Sequence, residues 1–425
     1  MTASHDKLRP FDAFLEENGF VVLDGGLATE LEAQGAKLDN HLWSASLLVD
    51  NPSLIYKTHL AYFWKGADIA TTGSYQASFD GFLRRGFNRA QATDLLIRSV
   101  ELAVQARDHF WQNYQDLQRK RRKQKHSQNA VEHVCEPFDA AMLGVTNGGE
   151  KSTHGTDLGE CTSVPEQNCP GVDPTGVLEK VRQKPLVAAS IGCYGAALAD
   201  GSEYRGDYGV EVGVASLKEW HRQRMDVLKG AHGTDLLLFE TIPCLTEVEA
   251  ILSLLQESGC DSSLGAVMSI SCRDEEHLRS GELVQDFAKL ISQDANRHST
   301  AVEQSHPWPV VGIGVNCTAP SQVPGVLRNL RETLRVQPEL QTLLVAYPNS
   351  GEDWDADEKI WVPGTGCRGE GGVRDFGNMA KDWFLSGARV IGGCCRTTPA
   401  HIEEINMALL SSETKPDRVP ESDCK

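Results

Sequence analysis

Eight short apolar runs recur along the chain: Phe20–Leu23, Asp68–Thr72, Leu186–Ile191, Asp235–Phe239, Leu264–Ile270, Pro309–Val315, Gln341–Ala346 and Ala388–Ile391. They are hydrophobic at nearly every position rather than at alternate ones, as strands buried on both faces are. Amphipathic stretches separate them. In one, Leu96, Val100, Ala103 and Val104 fall on a single face at helical spacing. Eight strand–helix units predict one α/β domain, a (β/α)8 barrel spanning residues 12–410, whose usual core is about 250 residues, with the excess length in loops. A doubly wound open sheet is the alternative. It would carry a glycine fingerprint after its first strand, whereas the turn here reads Asp24-Gly25-Gly26-Leu27-Ala28-Thr29.

The rhythm fails once, beyond about Trp111. Residues 112–183 begin with the basic run Arg119 to Lys125 and continue rich in Ser, Asn, Gly, Thr, Glu and Pro. Such a stretch buries too little apolar surface to offset its ordering entropy, so it reads as a disordered or low-complexity insertion between the second helix and third strand. The basic run reads first as a solvated helix end and second as a nuclear-localisation signal. Cys135, Cys161 and Cys169 fall inside the insertion and are discounted as metal ligands, and residues 411–425 read as a flexible tail.

Charge and cysteine usage narrow the class. Forty-one Lys and Arg against 59 Asp and Glu leave a net charge of −18, which disfavours nucleic acid or anionic membrane as partners. Twelve cysteines in 425 residues do not make a disulfide scaffold. No stretch resembles a signal peptide or approaches the ~18 apolar residues of a membrane span. The expectation is a soluble cytoplasmic protein whose cysteines are buried, catalytic or metal-bound, and whose partners are small molecules.

In such a barrel the chemistry lies after the strands, and nearly every run here ends in polar residues. The first ends in Asp24-Gly25-Gly26, the fourth in Glu240, the sixth in Asn316-Cys317 and the eighth in Gly392-Gly393-Cys394-Cys395. Adjacent cysteines are poorly placed to pair with each other and well placed to share one ion. Cys317, one strand away from that pair's neighbour, completes a set of three. Three thiolates leave a fourth position open on a zinc ion, the pattern of a reactive rather than a structural site. Zinc so held lowers the pKa of a substrate thiol. An isolated cysteine is more often a small buried hydrophobe, the reading adopted for Cys193, Cys244, Cys260, Cys272 and Cys367. Asp24 and Glu240, from separate strands, are suited to grip one ammonium group, and the glycines after Asp24 leave amides free for a carboxylate. Taken singly, each acid also fits as a turn residue, helix cap or satisfied strand-end carboxylate.

Asp24-Gly25-Gly26-Leu27-Ala28-Thr29-Glu30, Gly314-Val315-Asn316-Cys317 and Gly392-Gly393-Cys394-Cys395 together resemble the zinc-dependent homocysteine S-methyltransferase family. The resemblance covers about Gly19 to Leu410 outside the insertion. Ser190–Gly195 and Asp200–Gly206 look most like its S-methylmethionine branch. It implies Cys317, Cys394 and Cys395 as ligands of one zinc ion per chain, which activates the homocysteine thiol. It implies Asp24 and Glu240 on the homocysteine amino group, with the Gly25 and Gly26 amides on its carboxylate. Asn316 and Thr29 would line that pocket, and Tyr75 would lie near the methyl donor, where a sulfonium suits an aromatic face. The implied reaction moves a methyl group from S-methylmethionine, or S-adenosylmethionine, to homocysteine and forms methionine. Three alternatives stay open: a betaine donor or a selenocysteine acceptor within the family, a zinc hydrolase, and a non-catalytic zinc or redox-sensing barrel. The hydrolase is disfavoured because none of the thirteen histidines closes a strand.

Overall fold

The computed structural model describes residues 10–38, 43–129, 182–257, 264–300, 308–335, 342–352, 354–355, 360–362 and 364–411. The apolar runs become parallel strands: β1 (Val21–Val22), β2 (Ile69–Thr71), β3 (Leu186–Gly192), β4 (Leu236–Ile242), β5 (Gly265–Ile270), β6 (Val310–Asn316), β7 (Leu343–Tyr347) and, after a two-stranded hairpin of β8 (Trp354–Asp355) and β9 (Ile360–Trp361), β10 (Ala388–Ile391). The sheet order β1-β10-β7-β6-β5-β4-β3-β2 is that of a barrel read around its circumference. A Leu23–Ile69 bridge joins the two ends and completes the (β/α)8 ring. The hairpin was not anticipated, since its two-residue strands are too short to show a period.

Two apolar layers result because the strands are buried on both faces. Val21, Leu23, Ile69, Ala188, Leu236, Leu238, Val267, Val345 and Val390 fill the interior. The alternate strand residues, such as Val22, Val187, Phe239, Met268 and Ile391, join the helix faces in the larger outer core. The helix Asp12–Asn18 leads into β1 and sets Phe11 and Phe14 against the interior layer, sealing the end where the strands begin. It stops at Gly19, whose φ of 75° is a left-handed cap that glycine adopts without strain.

The expected insertion starts later than its sequence suggests. The helix Arg89–Asn129 runs through residues 112–129, so the basic run is helical, as its solvated-helix reading supposed. Polar composition hid this, because a helix leaving the barrel surface no longer needs an apolar stripe. At the other boundary Arg182 is deeply buried and belongs to the barrel. The rest of the segment, with Cys135, Cys161 and Cys169, lies outside the described residues, as do Cys260 and the tail beyond Ser411. Among the described residues no helix is long and apolar enough to cross a membrane.

Candidate active site and metal centre

The strand ends converge as a barrel requires. Cys317, just past β6, and Cys394 and Cys395, past β10, bring three sulfurs together. Cys317 Sγ lies 2.9 Å from Cys394 Sγ and 3.4 Å from Cys395 Sγ. None of the three is in a disulfide. They form the one His/Cys/Asp/Glu group among the described residues with metal-binding geometry. The thiols share their protons unequally: Cys317 and Cys394 hydrogen-bond to Cys395 and hold it well below the ordinary thiol range, while Cys394 is pushed up. A half-buried thiolate beside two further soft donors is a ligand set for a thiophilic cation.

Backbone strain marks the same place. Four non-glycine residues among those described have a positive φ, and three frame the cluster: Thr241 at 61°, Cys317 at 47° and Arg396 at 67°. Each is tied down. Asn316 Oδ1 accepts from the Thr241 amide at 2.8 Å, and Asn316 Nδ2 donates to Thr241 Oγ1 at 2.8 Å. The same Nδ2 lies 3.8 Å from Cys394 Sγ. The Arg396 amide donates to Thr29 Oγ1 at 2.8 Å, and its guanidinium forks onto Glu352 at 2.9 and 3.0 Å. Asn316 and Thr29 thus lie beside the cysteine turns, and their polar groups hold Thr241 and Arg396 in place.

The two glycines after Asp24 permit a close approach. A Cβ on Gly26 would lie 2.6 Å from the Cys394 carbonyl oxygen, and one on Gly25 would lie 2.9 Å from both Thr397 Oγ1 and the Tyr62 hydroxyl. The expectation that both amides serve a ligand is corrected for Gly26, whose amide already donates to Thr397 Oγ1 at 3.1 Å. Packing of the cysteine turn onto this loop takes that donor, so the reading now rests on Gly25.

Asp24 and Glu240 are 1% and 7% exposed and face each other across the mouth. Among the described residues neither makes an ion pair. Asp24 accepts from the Thr71 amide at 2.8 Å and from Thr71 Oγ1 at 3.0 Å, and Glu240 accepts from Ser190 Oγ. Burial pushes the Asp24 carboxyl well above the carboxylate range against the pull of the Thr71 bonds. It pushes Glu240 up to about 7, against the hydrogen bond from Ser190. Two desolvated carboxyls without an ion pair, Glu240 feeling the Arg224 charge from outside the barrel, are poised to ionise when a cation arrives.

Tyr75 also reaches the mouth. Its phenol lies near Cys317 and Tyr204 and hydrogen-bonds Thr241, and burial pushes its pKa far upward. Gly192 makes room for it, since a Cβ there would sit 2.7 Å from the ring. The Tyr75 loop is held from outside the barrel by Arg224, itself 1% exposed, which donates to the carbonyls of Gly192 at 2.9 Å, Ser74 at 3.0 Å and Tyr75 at 2.8 Å. An arginine on a helix reads as solvent-facing, so nothing in the pattern singled it out. Tyr204 lies in the Asp200–Gly206 segment after β3, whose sequence assigns it no role, and it sits close enough to Cys395 to feel its charge.

Comparison with known proteins agrees with this geometry. The homocysteine S-methyltransferase family model matches residues 21–409. Homocysteine S-methyltransferase 2 of Zea mays is 36% identical over 397 residues, covering 93% of this chain and 92% of the maize protein. Homocysteine S-methyltransferase YbgG of Bacillus subtilis (strain 168) is 35% identical over 398 residues, covering 94% and 97%. The crystal structure of the homocysteine methyltransferase MmuM from Escherichia coli in its metallated form is similar with a TM-score of 0.61 and 32% identity, covering 94% of this chain and 99% of that one.

Proposed function

The chain belongs to the homocysteine S-methyltransferase family and is an enzyme that methylates homocysteine; from that premise we propose S-methylmethionine as its methyl donor and one zinc ion, held by Cys317, Cys394 and Cys395, as its cofactor. The observation that carries this reading is the meeting of three sulfurs with two buried carboxyls, neither in an ion pair among the described residues, at one barrel mouth. A soft, all-sulfur donor set fits zinc and does not fit magnesium or calcium. When bound, zinc supplies a Lewis acid that lowers the pKa of an incoming thiol.

The chain's own residues do the remainder. Asp24 and Glu240 take the homocysteine ammonium and become fully ionised in doing so. The Gly25 amide receives its carboxylate. Asn316 and Thr29 keep the cysteine turns in place, and Tyr75 offers its ring to the sulfonium. The homocysteine thiol proton leaves to solvent. A sulfur lone pair then forms the new S–CH3 bond as the donor's S–CH3 bond breaks, and that bond's electron pair returns to the donor sulfur. The sulfonium becomes a neutral thioether, so with S-methylmethionine both products are methionine. Catalysis is mainly alignment of thiolate and methyl carbon. The substrates are small molecules and the setting is the cytoplasm.

Methionine formation by the zinc-loaded protein tests this, with S-methylmethionine, S-adenosylmethionine and betaine compared as donors. Turnover fastest with S-methylmethionine, lost on chelation and regained with zinc, is expected. Turnover unaffected by metal removal overturns the zinc assignment, and preference for betaine overturns the donor.

A further inference from the structure

Homocysteine uses one charged corner of the mouth, formed by Asp24 and Glu240. A sulfonium amino acid would bring a second ammonium and a second carboxylate, and these need partners elsewhere. Two further loops border the cysteine cluster, after the strands on either side of β4. One follows β3 and contains Asp200 to Gly206. The other follows β5 and runs from Cys272 to Leu283. They pack together: Gly206, at φ 70°, lies against Ser280 and the Pro243 carbonyl, where a Cβ would be 2.8 and 3.0 Å away. Tyr204 stands between them, 46% exposed and close enough to Cys395 to feel its charge.

Each loop presents a charged group that the fold leaves incompletely used. Arg279 lies with its guanidinium carbon 5.5 Å from the Tyr204 ring centre, and its Nη2 donates to the Cys317 carbonyl at 3.0 Å. Its Nε is buried with no hydrogen-bond partner. Glu203, next to Tyr204, is close enough to Cys395 to feel its charge, and its Oε2 is likewise buried without a partner. Among the described residues no ion pair joins Glu203 to Arg279. Buried donors and acceptors are almost always satisfied, because leaving one unmet forfeits its solvation with nothing in exchange. One unmet anion oxygen and one unmet cation N–H flanking the same aromatic ring, beside the reacting sulfurs, make a complementary pair for a zwitterion.

We propose that Glu203 and Arg279 are the donor-specificity pair, Glu203 receiving the α-ammonium and Arg279 the α-carboxylate of a sulfonium amino acid whose methyl-bearing sulfur lies between Tyr75 and Tyr204. This rests on the sulfonium-donor reading above and adds to it the groups that recognise the donor's far end. It also explains why a free amino acid sulfonium suits the site better than betaine, which has a carboxylate and no ammonium hydrogens for Glu203.

The test uses the metal-loaded full chain and three donors: S-methylmethionine, 4-(dimethylsulfonio)butanoate, which lacks only the amino group, and (3-aminopropyl)dimethylsulfonium, which lacks only the carboxylate. The wild-type protein should prefer S-methylmethionine over both. Glu203→Gln should lower kcat/KM for S-methylmethionine roughly 10- to 100-fold while barely changing it for the amine-free donor. Arg279→Gln should do the same relative to the carboxylate-free donor. Homocysteine KM and metal content should hold in both variants, and Glu203→Asp should recover part of the preference, which a merely structural role would not produce. If the wild-type protein uses S-methylmethionine and either variant keeps the full preference, the assignment of that residue is overturned and the proposed function stands. Failure of the wild-type protein to use any sulfonium donor overturns both together.

Discussion

The two ends of the barrel both bury charge, and they treat it in opposite ways. At the end where the strands begin, Arg182 and Asp68 pair at 3.2 Å with their side chains each 1% exposed. Arg182 also donates to the carbonyls of Phe63, at 2.7 Å, and Ala67, and Asp68 accepts the Val22 amide at 3.1 Å. Cation and anion are matched within the chain. At the end where the strands finish, Asp24 and Glu240 face each other without an ion pair among the described residues, Glu240 feeling only the charge of Arg224, and three sulfurs crowd beside them. Buried charge that is matched holds a fold together; buried charge left unmatched costs stability and is retained where a ligand supplies the counter-charge.

Mutation separates the two ends. The largest effect is expected from Cys395→Ala, which should remove bound metal and lower turnover by roughly 10³-fold or more, read by metal analysis and methionine assay. A variant that keeps both would place the metal elsewhere. Arg182→Met at the lower end strands the Asp68 charge and should cost about 3–5 kcal/mol, seen as a lower denaturation midpoint; unchanged stability would mean the lower end is no better matched than the upper. Glu240→Gln removes an unmatched charge instead. Homocysteine KM should rise roughly 10- to 100-fold with stability equal to or above that of the parent.

The mildest test is pH. Glu240 has its carboxyl raised to about 7 by burial, above the unfolded value of 4.5. Its ionisation therefore opposes folding progressively between those values and favours ammonium binding above them. Homocysteine affinity should weaken below about pH 7, by up to about tenfold per unit, with proton release on binding that titration calorimetry in two buffers detects. An affinity flat from pH 8 to 6 would mean that Glu240 is already ionised without a ligand.

Much of this was legible from residue order. Continuous apolar runs become parallel strands because both faces are covered, and in a barrel that alone sends Asp24, Glu240, Cys317, Cys394 and Cys395 to a common end. What was not legible depends on contacts between distant segments. The Gly26 amide looks free until Thr397 arrives from 371 positions along the chain. Arg182 and Arg224 look like surface charges until their carbonyl partners are known. Residues 112–129 look unstructured because a helix that projects from the surface has no apolar stripe to read.

The ring of strands has one weak link. β1 has two residues and β2 three, and they meet through the single Leu23–Ile69 bridge, with the Asp24 amide on the Ile69 carbonyl at 3.0 Å and the Asp68 amide on that of Val22 at 2.7 Å. Asp24 spans the same junction with its side chain, taking both the amide and the hydroxyl of Thr71. The carboxylate is thus a latch as well as a ligand-binding group. Neutralising it loosens the one place where the cylinder has an incipient free edge, and an ammonium that keeps it ionised fastens that edge. If homocysteine is held as proposed, the expected outcome is slower amide exchange along residues 22–24 and 69–71 on binding, read by hydrogen exchange.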